Sequence, residues 1–181
     1  MITLRTEEEK DYKAVFEVIE QAFKKSEHSD HQEHFLVEKL RKSKNFIPAL
    51  SIVAEFADDE TGEKYIAGHI LFTKVRIENG SESFESLALA PVSVKPEYQN
   101  RGIGGHLIAF GHLIAQEMGY KSVVLVGHEN YYPKFGYRKS FNFEISFPFD
   151  VPEENGMAIE LVENSLKNIK GIVKYPEEFG I

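Results

Sequence analysis

The segment VSVKPEYQNRGIGGHLIAFGHLIAQEMG, residues 92–119, joins an apolar strand to a helix whose first turn is rich in glycine. Gly102, Gly104 and Gly105 stand in that turn, although a glycine inside a helix costs about 1 kcal/mol relative to alanine. The first turn of a helix carries unpaired N–H groups and roughly half a positive charge, and glycine lets an anion approach them closely. The pattern therefore predicts a phosphate-binding turn that follows a central strand.

Two common phosphate-binding loops do not fit this segment. A Walker loop requires lysine and then serine or threonine after its last glycine, whereas His106 and Leu107 follow Gly105. The dinucleotide fingerprint G-x-G-x-x-G requires a glycine at the position of Leu107. The pattern that remains is Q/R-x-x-G-x-G/A, which residues 99–104 match as QNRGIG.

The rest of the chain predicts an α+β fold in a single domain of residues 1–181, because a chain of this length and apolar content buries one sizeable core. A first strand precedes a helix that a Thr6–Glu9 capping box opens, and a shorter helix begins at Asp30 with Glu33 at the third helical position. Strand-like runs follow: ALSIVAEFA, YIAGHILFTKVRIE, ESLALAPVSV, SVVLVG, FNFEISF and GIVKYP. The first three predict an antiparallel meander.

Composition limits the partners and the compartment. The formal net charge of −8 argues against a nucleic-acid partner and favours a neutral or cationic one. No apolar run approaches the ~20 residues needed to span a bilayer, and the N-terminal residues lack the apolar region of a signal peptide. There is no cysteine, so disulfides and thiolate chemistry are excluded. We therefore predict a cytoplasmic protein without a membrane partner.

Together with its downstream sequence, the glycine-rich segment resembles a known family. VKPEYQNRGIGGHLI is similar to motif A of the GNAT superfamily of acetyl-CoA-dependent N-acetyltransferases. GYKSVVLVGHENYYPKFGYR and the distal GIVKYPEEF resemble the YhbS-type branch of predicted acetyltransferases. The resemblance implies a GNAT fold, which is a central, mostly antiparallel sheet with one splayed strand, flanked by helices. It also implies acetyl-CoA as co-substrate, no metal, and an amine of a small molecule or peptide as acceptor.

The resemblance implies where acetyl-CoA is held. Amides of the turn and of the first helical turn hold the pyrophosphate, here Gln99, Asn100, Arg101, Gly102, Ile103, Gly104 and Gly105. Backbone groups of the splayed strand pair with the pantetheine arm, here Val92, Ser93 and Val94. Pro91 just before them donates no ladder hydrogen bond, which fits a strand that is interrupted at this point.

Two catalytic roles are also implied by the resemblance. The amide of Val92 faces the thioester carbonyl as an oxyanion donor, and one such donor is typically worth about 3 to 4 kcal/mol of barrier. Tyr132, in YYPKFGY, lies near the sulfur of the carrier and contacts it. A phenol with a pKa of about 10 can protonate a departing thiolate, so Tyr132 is the expected general acid.

The chain departs from the family at the general base. The position where many relatives carry a glutamate falls on Ala88, which cannot accept a proton. Glu85, Glu82 and His69 are the remaining candidates, and we take Glu85 as the candidate base. Because the chain has no cysteine, the acetyl group is expected to pass directly to the amine in a ternary complex.

Several alternatives remain open from the sequence. Ala88 favours a non-catalytic CoA or acyl-CoA sensor, while a nucleotide-phosphate enzyme is disfavoured by the missing Walker lysine. The H-x-x-H-x-x-H pattern of His28, His31 and His34 invites a metal site, but the acidic residues between them favour a solvated surface helix. The C-terminal GIVKYPEEFGI either closes the sheet or pairs with a second copy as a homodimer.

Overall fold

The computed structural model describes residues 1–27 and 29–181. Its α-helices are α1 (Tyr12–Phe23), α2 (Glu33–Leu40) and α3 (Ile103–Glu117). Its strands are β1 (Ile2–Thr6), β2 (Phe46–Ala57), β3 (Lys64–Asn79), β4 (Glu82–Val94), β5 (Ser122–Val126), β6 (Arg138–Lys139), β7 (Ile145–Ser146), β8 (Gly156–Glu160) and β9 (Gly171–Lys174). Within these described residues, no helix combines the length and the apolar character needed to cross a membrane.

The chain divides into two compact units, whose boundary falls within β3 and β4. The first unit comprises residues 1–72 and 90–111, and the second comprises residues 73–89 and 112–181. In the first unit the strand order is β1-β2-β3-β4, and β1 is antiparallel to β2. The predicted meander is thus present as β2, β3 and β4, each beside the next one in the chain.

In the second unit β4 pairs in parallel with β5, and β8 pairs antiparallel with both β5 and β6. Strand β9 pairs antiparallel with β3 and parallel with β7. The C-terminal segment therefore closes the sheet of its own chain at this point. Val75, Val124, Ala158 and Val173 belong to the apolar core of this unit.

Helix α3 lies close to β3 in the first unit because Gly68 has no side chain. A Cβ at this position would lie 2.9 Å from the carbonyl oxygen of Ser93, 3.1 Å from Leu107 Cδ1 and 3.4 Å from Ile103 Cγ2. At the other end of this contact, a Cβ on Gly111 would overlap the ring of Phe72. Both glycines thus allow α3 and β3 to approach each other more closely than larger residues would permit.

Three local predictions were wrong. Helix α1 is not opened by a Thr6–Glu9 capping box: a 3-10 helix, Glu9–Asp11, comes first, and the Asp11 carboxylate accepts the Glu8 amide at 2.9 Å. Helix α2 begins after Gln32, and Asp30 instead accepts the amide of Gln32 at 2.9 Å. FNFEISF is not one strand, because a 3-10 helix covers Ser140–Phe143 and the left-handed Glu144 (φ +55°) leaves only Ile145–Ser146 as strand.

Candidate functional site

The turn between β4 and α3 carries a run of backbone amides that find no acceptor. In the part of the chain that the structure describes, no hydrogen bond is formed by the amides of residues 100–105, and the first turn-closing bond runs from His106 N–H to the Gly102 carbonyl at 3.0 Å. Helix α3 starts at Ile103, so its first amides have no partner within the helix. The sequence therefore places several parallel donors at one helix terminus.

The backbone around these amides alternates in handedness. Asn100 has a φ of +60° and Gly102 a φ of +79°, whereas Arg101 between them has no positive φ. Such alternation turns successive N–H groups towards one concavity, which binds anions in many phosphate sites. A Cβ built on Gly102 would meet only His106 Cε1, at 3.8 Å, so the space beside it is open. With the dipole of α3 behind it, the turn fits a pyrophosphate.

The end of β4 directs two residues away from β3. The amide of Lys95, just after β4, donates to the carbonyl of Ala67 on β3 at 2.9 Å. In an antiparallel pair, successive residues of a strand turn their N–H and C=O groups alternately towards and away from the partner strand. Continued along β4, this alternation predicts that Val92 and Val94 point their backbone groups to the side opposite β3. The Val94 carbonyl accepts a hydrogen bond from Gln99 Nε2 at 2.9 Å.

The remaining predicted cofactor residues have different surroundings. Gln99, Asn100 and Arg101 are exposed, and Gly104 and Gly105 are partly exposed. Ser93 is 2% exposed, and its Oγ donates to the His69 carbonyl at 3.4 Å. By the alternation described above, the backbone groups of Ser93 face β3.

The pairing of β4 with β5 is short in the second unit. Among the described residues it joins Leu87 to Val123 and Ala88 to Val124, whereas β5 stays paired with β8 up to Val126. Within this unit, the β4–β5 pairing is therefore limited to two residue pairs.

Tyr132 begins a 3-10 helix, Tyr132–Phe135, that ends at the left-handed Gly136. Its ring lies edge-on to the rings of Tyr131 and Tyr137, with centroids 5.1 and 5.8 Å away. No described residue hydrogen-bonds its hydroxyl. Burial, with a smaller contribution from Tyr131, raises the pKa of Tyr132 above its ordinary value. The phenol therefore stays protonated near neutral pH, and no described side chain or backbone group competes for its hydroxyl.

Two contacts around this tyrosine were not found by sequence reasoning. A hydrogen bond of 2.8 Å joins His112 Nε2 and the Tyr137 hydroxyl across 25 residues of chain. Asn155 holds Gly127 from both sides: its carbonyl accepts the Gly127 amide and its Nδ2 donates to the Gly127 carbonyl, each at 3.0 Å. The glycine after an apolar strand was the only available signal, because long-range side-chain pairs leave no local pattern.

Of the candidate bases, Glu85 and Glu82 are exposed on β4, and Ala88 is buried. His69 is fully buried, and its Nε2 lies 3.0 Å from Ser51 Oγ. Since Ser51 donates its single hydrogen to Glu7 at 2.7 Å, His69 Nε2 is the donor in that bond. Its other nitrogen, Nδ1, is buried and has no hydrogen-bond partner among the described residues.

His69 is poorly suited to accept a proton from a substrate. Burial, followed by the charge of nearby Arg41, lowers the pKa of His69 to about 3. A general base works best when its pKa lies near the working pH. Glu85 and Glu82 therefore remain as candidates, and we keep Glu85 as the candidate base.

Buried histidines also make folding pH-dependent. Burial lowers the pKa of His69 to about 3 and that of His112 to about 4, both below the ordinary 6.5. Below about pH 6.5 the unfolded chain thus binds more protons than the folded one. The contribution of these histidines to the free energy of unfolding is therefore fully present above that pH and decreases as the pH falls towards their folded pKa. Each histidine contributes a slope of up to about 1.4 kcal/mol per pH unit.

We expect the urea midpoint to fall between pH 6.5 and pH 5, before most carboxylates titrate. His112→Leu should remove part of this slope, because it removes one of the two histidines whose pKa is lowered by burial. A urea midpoint of the unmodified chain that is constant over this range would contradict the prediction.

The histidine pattern does not assemble a metal site in the described residues. His34 packs against the rings of Phe16 and Phe35, with centroids 4.5 and 4.2 Å away, and His31 adopts a positive φ. His28 lies outside the described residues. Among the residues that are described, no group of three or more potential ligands comes together.

Comparison with known proteins extends these observations. Residues 3–140 match the family described as Acetyltransferase (GNAT) domain. The chain is 33% identical over 154 residues to YjhQ, an uncharacterized N-acetyltransferase of Escherichia coli K12, covering 84% of this chain and 79% of that protein. It is 28% identical over 123 residues to the uncharacterized N-acetyltransferase YhbS of the same strain, covering 68% and 71%.

Solved structures are similar over nearly the whole chain. The structure of the GNAT family N-acetyltransferase YhbS from Escherichia coli, in complex with CoA, has a TM-score of 0.81 at 25% identity and covers 99% of this chain and 92% of that one. A GNAT family acetyltransferase from Brucella melitensis, in complex with acetyl-CoA, has a TM-score of 0.75 at 29% identity, with coverages of 99% and 98%.

Proposed function

Because the chain belongs to the GNAT acetyltransferase family, we propose that residues 1–181 act as one enzyme that binds acetyl-CoA and acetylates an amine. The observation that carries this proposal is the run of unpaired amides at residues 100–105, which ends β4 and begins α3. Similar proteins have been solved with CoA and acetyl-CoA. The turn holds the pyrophosphate, and the backbone groups of Val92 and Val94 pair with the pantetheine arm. Ser93 is left out of these contacts because its backbone faces β3.

The chemistry is a direct acyl transfer. Acetyl-CoA supplies a thioester whose carbonyl carbon bonds to the amine nitrogen while its bond to sulfur breaks, which gives an amide and the CoA thiol. In the first unit, the Val92 amide donates to the carbonyl oxygen as negative charge develops there. In the second unit, Tyr132 gives its proton to the departing sulfur, and the proton that the amine loses leaves through water, with Glu85 as its candidate acceptor.

Direct transfer agrees with the composition, because the sequence offers no cysteine to carry the acetyl group. The net charge of −8 favours a cationic acceptor, such as a polyamine or a peptide with a free amino group. The second candidate function is a non-catalytic sensor of CoA or acyl-CoA, which the buried Ala88 at the usual base position favours.

Turnover separates the enzyme from the sensor. The protein is incubated with acetyl-CoA and with spermidine or a lysine-containing peptide, and the released CoA is measured with a thiol reagent. Because the chain contains no cysteine, the signal comes from CoA alone. Mass spectrometry of the amine should show one added acetyl group. Binding of acetyl-CoA without release of CoA for any amine would support the sensor instead.

The role of Glu85 gives a further prediction. Glu85→Gln is expected to lower kcat about tenfold at pH 7. The loss should shrink towards pH 9, because more of the amine is then neutral and hydroxide can take the proton that the nitrogen still loses after attack. Glu82→Gln tests the other candidate on β4, which is also exposed, and it should lower kcat less than Glu85→Gln does. An equal loss in both variants, or a loss that does not depend on pH, would contradict the assignment.

A further inference from the structure

We propose that His112 is a positioning residue for Tyr132, and that it acts through Tyr137. This inference rests on the proposed role of Tyr132 as the acid of the acetyl transfer. All three residues belong to the second unit, with His112 on α3 and the two tyrosines in the YYPKFGY segment.

The geometry forms a short chain of contacts. His112 Nε2 and the Tyr137 hydroxyl are 2.8 Å apart. The ring of Tyr137, which is 2% exposed, meets the ring of Tyr132 nearly at right angles, with centroids 5.8 Å apart and an interplanar angle of 78°. Edge-to-face pairs prefer this arrangement, so the position of the Tyr137 ring constrains that of Tyr132.

The ring of Tyr132 is confined on a second side by Gly127. A Cβ built on this glycine would overlap the Tyr132 ring, and its distance to the ring atom Cδ2 would be 2.9 Å. The paired hydrogen bonds of Asn155 hold Gly127 in place. Since no described residue hydrogen-bonds the Tyr132 hydroxyl, the packing of its ring sets the direction in which the hydroxyl points.

A hydrogen bond explains the presence of a histidine better than packing does. His112 lies partly buried on α3, and burial lowers its pKa to about 4, so the ring is neutral near pH 7. A buried polar group that loses its partner is costly, so the bond holds both rings in one arrangement. A proton donor has to be held within hydrogen-bonding reach of its target, and small displacements lower rates steeply.

Three substitutions test the proposal. Tyr137→Phe removes the hydroxyl and keeps the ring, His112→Leu removes the hydrogen bond and keeps an apolar side chain, and His112→Gln restores a polar group near the position of Nε2. CoA release from acetyl-CoA is measured with spermidine and with a lysine-containing peptide. If the protein acetylates neither amine, the slower hydrolysis of acetyl-CoA by water is measured instead. We expect Tyr137→Phe and His112→Leu to lower kcat about tenfold, with KM for acetyl-CoA changed less than about twofold.

The order of the two His112 variants distinguishes positioning from packing. Packing alone predicts that leucine is tolerated better than glutamine at this partly buried site, whereas positioning predicts that His112→Gln recovers most of kcat. The two single losses should also not add in the double variant, because both break the same bond. Equal or better activity of His112→Leu relative to His112→Gln would overturn the proposal.

A Tyr132→Phe background separates this inference from the proposed function. If His112 acts through Tyr132, then Tyr137→Phe and His112→Leu cause no further loss of kcat in that background. A further tenfold loss would show a structural role and overturn the inference. If Tyr132→Phe lowers kcat but Tyr137→Phe does not, the positioning fails while the acid role stands. If Tyr132→Phe alone leaves kcat unchanged, the acid role fails and the positioning with it.

Discussion

Gly104→Glu is expected to abolish the binding of CoA and acetyl-CoA. Gly104 is the second residue of α3, within the run of unpaired amides, and it has no positive φ. Its φ is therefore compatible with a side chain, and glutamate favours a helix over glycine by several tenths of a kcal/mol. A carboxylate in the turn would repel the pyrophosphate and occupy its space. We expect affinity to fall by roughly 100-fold or more, about 3 kcal/mol.

Titration calorimetry with CoA measures this loss directly, and thermal unfolding shows whether the variant is folded. Ala109→Glu is the matched control, because it adds the same charge at an exposed position of α3 outside the first turn. Its affinity for CoA should stay close to that of the unmodified chain. Unchanged affinity in Gly104→Glu would remove the basis for placing the pyrophosphate at this turn.

Tyr132→Phe is expected to lower kcat about 100-fold while KM for acetyl-CoA changes little, because a positioned general acid typically contributes at least this much. The hydroxyl has no hydrogen bond to described residues, so its removal should leave the thermal stability unchanged. Burial raises the pKa of Tyr132, so ionisation of this phenol should not reduce kcat at neutral or mildly basic pH.

The neighbouring Tyr131→Phe is the control for loss of a phenol in the same segment. Tyr131 is also partly buried, and its ring contacts Tyr132 and Phe135 while Lys134 Nζ lies 4.0 Å from its centroid. These contacts involve the ring and persist in phenylalanine. A loss of kcat in Tyr131→Phe as large as in Tyr132→Phe, or no loss in either variant, would exclude Tyr132 as the acid.

The family and the GNAT fold could be predicted from the sequence, and both are confirmed by the match over residues 3–140 and by the similar structures. They were readable because their signals are local. The motif that marks the turn, with Gly102 and Gly104, is contained in a few consecutive residues. The run SVVLVG likewise has the continuous apolar pattern of a buried strand. The α+β arrangement follows from such runs alone.

Short elements were missed because local pattern does not decide them. Strand β8, Gly156–Glu160, follows a polar turn and is held by its pairing with β5 and β6, which no local residue encodes. At the start of α1, Thr6 and Glu9 have the spacing of a capping box, yet Arg5 binds the Asp11 carboxylate at 2.6 Å and moves the cap further along the chain. Tertiary contacts overrode the local preference in both places.

Parts of the candidate site were hidden for the same reason. The hydrogen bond between His112 and Tyr137 spans 25 residues, and neither residue carries a motif of its own. The buried group of Glu7, Ser51 and His69 draws its members from distant segments. Sequence identified the residues that expose their backbone, but not the side chains that hold other side chains in place.

The missing side chain at Gly68 determines how closely β4 and the start of α3 pack against β3. Its nearest obstacle is a main-chain oxygen, that of Ser93, which cannot rotate aside as a side-chain tip can. A methyl group on Gly68 would push β4 away from β3. It would also push the start of α3 away, because Ile103 and Leu107 lie in its path. The positions of the Val92 amide and of the amides of residues 100–105 relative to β3 thus both depend on the missing side chain at Gly68. A side chain at Gly68 would therefore disturb both sets of amides at once, although Gly68 belongs to neither.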